Sequence, residues 1–172
     1  MGQTREYTEE LRRVPGDLDH YLQSDAVARV QEVARRYARS SYFMCLGRRV
    51  SLPVAMEGAL KLKEISYVPT EAYAAGEMKH GPIALLEKGS PVLVVAPDGP
   101  VYDKLISNVQ EVMARGAEVI AVTSEGNDGL VDMAEEVLYV PRTDEMLSPL
   151  LAVVPLQLFA YYVASERGEK VD

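Results

Sequence analysis

One cysteine, two histidines and too few basic residues to balance its acids: these scarcities bound what the sequence encodes. With Cys45 alone no internal disulfide can form, and no Cys/His cluster has metal-ligand spacing, so neither a metal nor another cofactor is expected. Cys45 lies in the apolar run "SYFMCLG" and reads as a small buried hydrophobe. A net charge of −8 over 172 residues argues against a nucleic-acid or anionic-membrane surface. An anionic ligand must therefore be held by a local site. Long apolar runs are lacking too. The most lipid-like one, "LLAVVPLQLFAYYVA", is shorter than the roughly 20 residues a span needs and carries Pro155 and Gln157, so it reads as a core helix. The opening "MGQTREYTEELRR" is charged and has no apolar segment of the signal-peptide kind, so a cytoplasmic location is expected. No repeat and no low-complexity tract appears.

What is present is the balance of an ordinary globular domain, 48% hydrophobic and 26% charged. Residues 1–23 are polar, with Pro15-Gly16 in the middle, and read as a lead-in outside the core; the domain proper is expected over 24–172. "SDAVARVQEVARRYARS" opens on the capping pair Ser24-Asp25 and places Val27, Val30, Val33, Ala34 and Tyr37 on one helical face. Beyond it strands and helices alternate. "SYFMCL", "SPVLVVAP", "AEVIAVTS" and "EVLYVP" read as strands. "LPVAMEGALKLKEISY", "VYDKLISNVQEVMARG" and the stretch from Ser148 to about Arg167 read as helices, the last two stopped by Gly116 and Gly168. Continuous apolar strands alternating with helices predict an α/β fold, a mostly parallel sheet covered on both faces. Ligands in such sheets sit at the carboxyl ends of the strands, a rim occupied here by "GRRVS", "PDGP", "SEGND" and "PRTDE".

Three stretches could carry chemistry. Glu57, Lys61 and Glu64 fall at i, i+4 and i+7, one stripe on a helix that is otherwise mostly apolar. Such a stripe is either a surface ion pair worth about 0.3 kcal/mol or the wall of a polar cleft. The scarcity of other polar surface on this helix favours the cleft. "GRRVS" offers Arg48, Arg49 and a helix N-terminus to an anion, without a glycine-rich loop; it is the weaker candidate. Third, "EAYAAGEMKHGP" (71–82) gathers Glu71, Glu77, Lys79 and His80 in a connection too long for a simple turn. On residue type alone His80 is either a turn residue or a proton carrier suited to neutral pH. His20, beside Asp17 and Asp19, reads as solvated.

At "EGALKLKEISYVPTEAYAAGEMKHGPIALL" the sequence resembles glutamine–fructose-6-phosphate aminotransferase, or glucosamine-6-phosphate synthase. More narrowly, it resembles the second of that family's two sugar isomerase (SIS) domains, from about residue 24 to the end. The resemblance implies a three-layer α/β/α sandwich with a five-stranded parallel sheet, flavodoxin-like and doubly wound. It implies a reaction turning fructose 6-phosphate and glutamine-derived ammonia into glucosamine 6-phosphate. By position, Glu64 matches the base that moves a proton between C1 and C2. His80 matches the histidine that assists ring opening across a dimer interface. Lys61 matches a lysine beside the sugar, and Glu57 shares the stripe as a further substrate-binding candidate. A homodimer is implied.

The sequence also departs from the family pattern. The glutaminase domain, the first SIS domain with its phosphate loop, and the tail bearing an imine-forming lysine have no counterpart in the 172 residues. The chain is therefore expected to be inactive alone. Two other readings stay open: a related sugar-phosphate deaminase or deglycase using the same base and histidine, and a non-catalytic module that binds sugar phosphate or serves assembly.

Overall fold

The computed structural model describes residues 2–171. The segment expected to lie outside the core is a helix, α1 (Gly2–Gln23), with Pro15 inside it. Val14 and Tyr21, seven residues apart on one face, are buried in the larger apolar core, which corrects the reading of this segment as a mere lead-in. Helix α2 (Asp25–Tyr37) starts where its cap predicts: Ser24 Oγ accepts the Ala26 N–H at 3.2 Å. Val30, Val33, Ala34 and Tyr37 form its buried face, with Val27 half-buried at the margin.

The remaining elements follow as β1 (Phe43–Gly47), α3 (Ser51–Ser66), β2 (Thr70–Ala74), two 3₁₀ turns (Met78–His80 and Pro82–Leu85), β3 (Pro91–Ala96), α4 (Tyr102–Met113), β4 (Glu118–Ser124), β5 (Glu136–Val140) and α5 (Ser148–Arg167). All five strands are parallel, in the order β2-β1-β3-β4-β5. The five-stranded doubly wound sheet is thus present. One strand, however, arises inside the charged stretch: residues 71–74 of "EAYAAGEMKHGP" belong to edge strand β2.

The order of strands fixes which face each connection covers. From β1 the chain steps outward to β2 through α3, then reverses over β1 to reach β3. Parallel crossovers are right-handed, so the outward and returning connections must lie on opposite faces. The two cores record this. Phe43 and Cys45 of β1 pack with α1, α2, α3 and α5. Met44 and Leu46 pack with Met78 and Leu86 of the returning crossover and with Leu105, Val109 and Val112 of α4.

Cys45 is fully buried, as its apolar context predicts, and burial pushes its thiol pKa up to about 12. Helix α5 is, at 20 residues, long and apolar enough to cross a membrane by length and composition, longer than its apolar run suggests. It packs as a core helix against α2 and α3, burying Leu151, Leu156, Phe159 and Val163. The Phe159 ring meets Phe43 edge-to-face at 5.7 Å.

Helix α3 ends on Tyr67, a left-handed residue at φ 57° whose side chain is mostly exposed. Such a conformation strains any residue with a Cβ, so Tyr67→Gly is expected to stabilise the chain by roughly 0.5–1 kcal/mol. That corresponds to a rise of about 1–4 °C in thermal melting. A lower melting point would mean that the ring makes contacts worth more than the strain.

Candidate active site

The charged stripe forms on α3 as its spacing requires. Lys61 Nζ lies 2.7 Å from Glu64 Oε2 and 3.8 Å from Glu57 Oε1, so one ammonium bridges two carboxylates. The hydrogen bond to Glu64 holds the Lys61 pKa above its ordinary value, slight desolvation opposes this, and the charges of Glu64 and Glu57 add to it. The three side chains are between 33% and 49% exposed. Within this chain they form an ion-paired flank open to solvent. Beside them Met56, Leu60 and Tyr67 are exposed as well, an apolar stripe that the fold itself does not bury.

The stripe runs away from the rim at the carboxyl ends of the strands. Helix α3 begins just beyond the end of β1, and the Phe43 N–H at the start of β1 donates to the Pro69 carbonyl just past the helix at 3.1 Å. Glu64, in the last turn of α3, is therefore at the amino end of the sheet.

His80 occupies the opposite layer. After β2, the Ala75 N–H donates to the Gly47 carbonyl at 3.0 Å, and the chain folds into the Met78–His80 turn, with Met78 wholly buried. Gly81, at φ 150°, is in a conformation that residues with a Cβ rarely adopt, and it makes the break between the two 3₁₀ turns. His80 itself is exposed; its Nε2 lies 4.0 Å from Glu77 Oε2. The structure thus brings Glu57, Lys61 and Glu64 together and sets His80 in the layer across the sheet from them.

The other charges of this stretch hold it in place. Glu71 Oε2 accepts hydroxyl hydrogen bonds from Tyr42 at 3.2 Å and Tyr73 at 2.7 Å. Lys79 Nζ reaches Glu111 of α4 at 3.4 Å. Arg48 Nη1 donates to Asn108 Oδ1 at 3.0 Å, and Gly76 lies against the same guanidinium. Sequence reading passed over Asn108. Its signal was there: in α4 it stands at i+3 from Leu105, a polar residue at a core position beside Val109 and Val112.

The rim loops are stitched to one another. Arg49 Nε is 3.3 Å from Glu145 Oε1, and Arg142 Nε is 2.8 Å from Asp98 Oδ2. Asn127 Nδ2 donates to Asp98 Oδ1 at 2.6 Å, and the Asp98 N–H donates to Ser124 Oγ at 3.0 Å. Both arginines of "GRRVS" are thus engaged by the protein itself. Among the described residues no group of three His, Cys, Asp or Glu side chains converges as a metal-ligand set.

Comparisons with known proteins agree with this architecture. The family description "SIS domain" matches residues 37–167. The glutamine–fructose-6-phosphate aminotransferase [isomerizing] of Thermus thermophilus is 50% identical over 163 residues; the match takes in 95% of this chain but only 27% of that protein. Among solved structures, the C-terminal domain of glucosamine-fructose-6-phosphate aminotransferase from Francisella tularensis superposes with a TM-score of 0.88 at 36% identity, covering 97% of this chain and 46% of that one. A glucosamine-6-phosphate deaminase from Thermotoga maritima superposes with a TM-score of 0.69 at 27% identity, covering 96% and 46%.

Proposed function

The chain belongs to the SIS domain family, and from that we propose that it is the sugar-isomerising second SIS domain of a glutamine–fructose-6-phosphate aminotransferase. The observation that carries this reading is the 50% identity, over nearly the whole chain, to the isomerizing aminotransferase of Thermus thermophilus. The substrate is fructose 6-phosphate with glutamine-derived ammonia, and the product is glucosamine 6-phosphate.

Glu64 is the base. A carboxylate on the sugar's C1–C2 edge can take the proton from one carbon and return it to the other, as aldose–ketose isomerisation requires. Lys61, an ammonium 2.7 Å from Glu64, fixes that carboxylate and offers a donor to a sugar oxygen. Glu57 steadies Lys61 from the other side. His80 opens the ring by removing the anomeric hydroxyl proton and giving one to the ring oxygen, a task suited to an imidazole near neutrality.

A homodimer follows from the same reading. Because right-handed crossovers put α3 and the His80 turn on opposite faces, a His80 serving the sugar at Glu64 comes from a second copy. The exposed Met56, Leu60 and Tyr67 are the kind of surface that an assembly covers. The complete enzyme is placed in the cytoplasm.

The deaminase reading has one observation of its own, the Thermotoga maritima likeness. Following glucosamine 6-phosphate by ¹³C NMR in the complete enzyme separates the two. Glutamine-dependent formation from fructose 6-phosphate is expected. Ammonia release from glucosamine 6-phosphate, with no glutamine-dependent synthesis, would move the chain to the deaminases.

A further inference from the structure

We infer that Arg48 is a positioning residue for His80, acting as the platform on which the histidine-bearing crossover rests. This deepens the proposed function and rests on its assignment of His80 to ring opening.

The sheet's switch point lies between β1 and β3, where the chain order reverses, and Arg48 is the first residue beyond β1 there. Its guanidinium is half-buried, and its Nη1 is held by Asn108, a residue only 5% exposed. A Cβ built at Gly76 would stand 3.1 Å from Arg48 Nη1 and 3.6 Å from both Cζ and Nη2. The backbone of the crossover thus lies close upon the guanidinium, near enough that a methyl group at Gly76 would push Nη1 back by a few tenths of an ångström.

The anchoring is confined to the residues just before the histidine. Ala75 is tied through its N–H to Gly47, Gly76 lies on Arg48, Met78 is plugged into the core, and Lys79 reaches Glu111. His80 comes next, with its side chain 66% exposed. Its direction is therefore set by what holds residues 75–79. Of the polar supports, Arg48 is the one that links the end of β1, α4 and the crossover, beside the apolar plug of Met78. Lysine does not replace it, since an ammonium lacks the flat face and the rigid fork.

The test uses two variants that disturb the platform from opposite sides, Arg48→Lys and Gly76→Ala. In the purified chain, both are expected to raise amide hydrogen exchange about tenfold over residues 75–86 while β3 and β4 keep their protection. Unchanged exchange over 75–86 in both variants overturns the inference, as does a uniform loss across the sheet.

In the complete enzyme the readout is a substrate pair. 5-Deoxyfructose 6-phosphate cannot close to a furanose and needs no ring opening. Arg48→Lys is expected to lower kcat on fructose 6-phosphate by about 10–100-fold, with KM little changed, and to leave the open-chain analogue near its unmodified rate. Equal loss on both substrates marks general damage and sinks the positioning role. His80→Ala run alongside keeps the two ideas apart. If it too fails to discriminate between the substrates, the ring-opening role of His80 falls. If it discriminates and Arg48→Lys does not, only the platform falls.

Discussion

Replacing His80 by alanine in the complete enzyme is expected to lower glucosamine 6-phosphate synthesis by about 10²–10⁴-fold, the usual contribution of a positioned proton carrier. Glutamine hydrolysis and thermal melting should stay where they are. The side chain is exposed, with Glu77 Oε2 4.0 Å from its Nε2, so its removal opens no cavity and breaks no core contact. Synthesis at the unmodified rate would remove His80 from the mechanism.

The same variant tests the geometry. Glu64→Gln removes the base with little change of shape, and it too should be inactive. Mixed under conditions that exchange subunits, the two variants make hybrids in which one site combines Glu64 of one copy with His80 of the other. Random hybrids of a two-fold dimer have one such site in two, so about a quarter of the unmodified activity should return. No recovery on confirmed exchange would place His80 in its own subunit's site, against the handedness argument.

A second large effect is expected far from the candidate site. Glu136, the first residue of edge strand β5, has a side chain only 1% exposed and forms ion pairs with both Arg29 and Arg36 of α2. Those arginines stand at i and i+7, so one face of α2 grips the outermost strand through a single carboxylate. Changing both to methionine keeps much of their apolar bulk and leaves the carboxylate buried without a partner.

Stripping a buried pair of one side destabilises by about 3–5 kcal/mol. The lower end applies, because both guanidiniums are themselves more than a third exposed and water can enter where they stood. A loss of about 3 kcal/mol corresponds to a melting point lower by about 6–12 °C. Adding Glu136→Leu to the same chain should recover most of that loss, since an apolar side chain has no charge to desolvate. Melting at the unmodified temperature in the arginine double variant would show that this ion pair does not hold α2 to the sheet.

The elements legible in the sequence were those whose local signal and tertiary setting agree. Strands β1, β3 and β4 are buried on both faces and so read as unbroken apolar runs. Ser24 caps α2, and Gly116 and Gly168 both sit at positive φ as helix stops require. Strand β2 escaped because an edge strand that is only partly covered can be built from Thr70, Glu71, Ala72, Tyr73 and Ala74, whose hydrophobicity is too weak to register. Its strand character comes from pairing with β1, a contact made 27 positions away, as in Phe43 with Thr70. Helix α1 escaped for a related reason. Val14 and Tyr21 are a sparse apolar pattern in a polar segment, and only the core beneath them gives it meaning.

Sequence alone determined the α/β alternation, the i, i+4, i+7 stripe of Glu57, Lys61 and Glu64, and the concentration of charge in "EAYAAGEMKHGP". These are properties of neighbours along the chain, and helical periodicity is enough to place them. Tertiary structure decided what that charge is for. Glu71 binds two tyrosines, Lys79 reaches α4, and Gly76 lies on Arg48, so most of the stretch serves to hold the turn that presents His80. It also decided that His80 and Glu64 occupy opposite faces of one sheet. No spacing along the chain encodes that separation. It follows from the handedness of parallel crossovers, which acts only once strands pair.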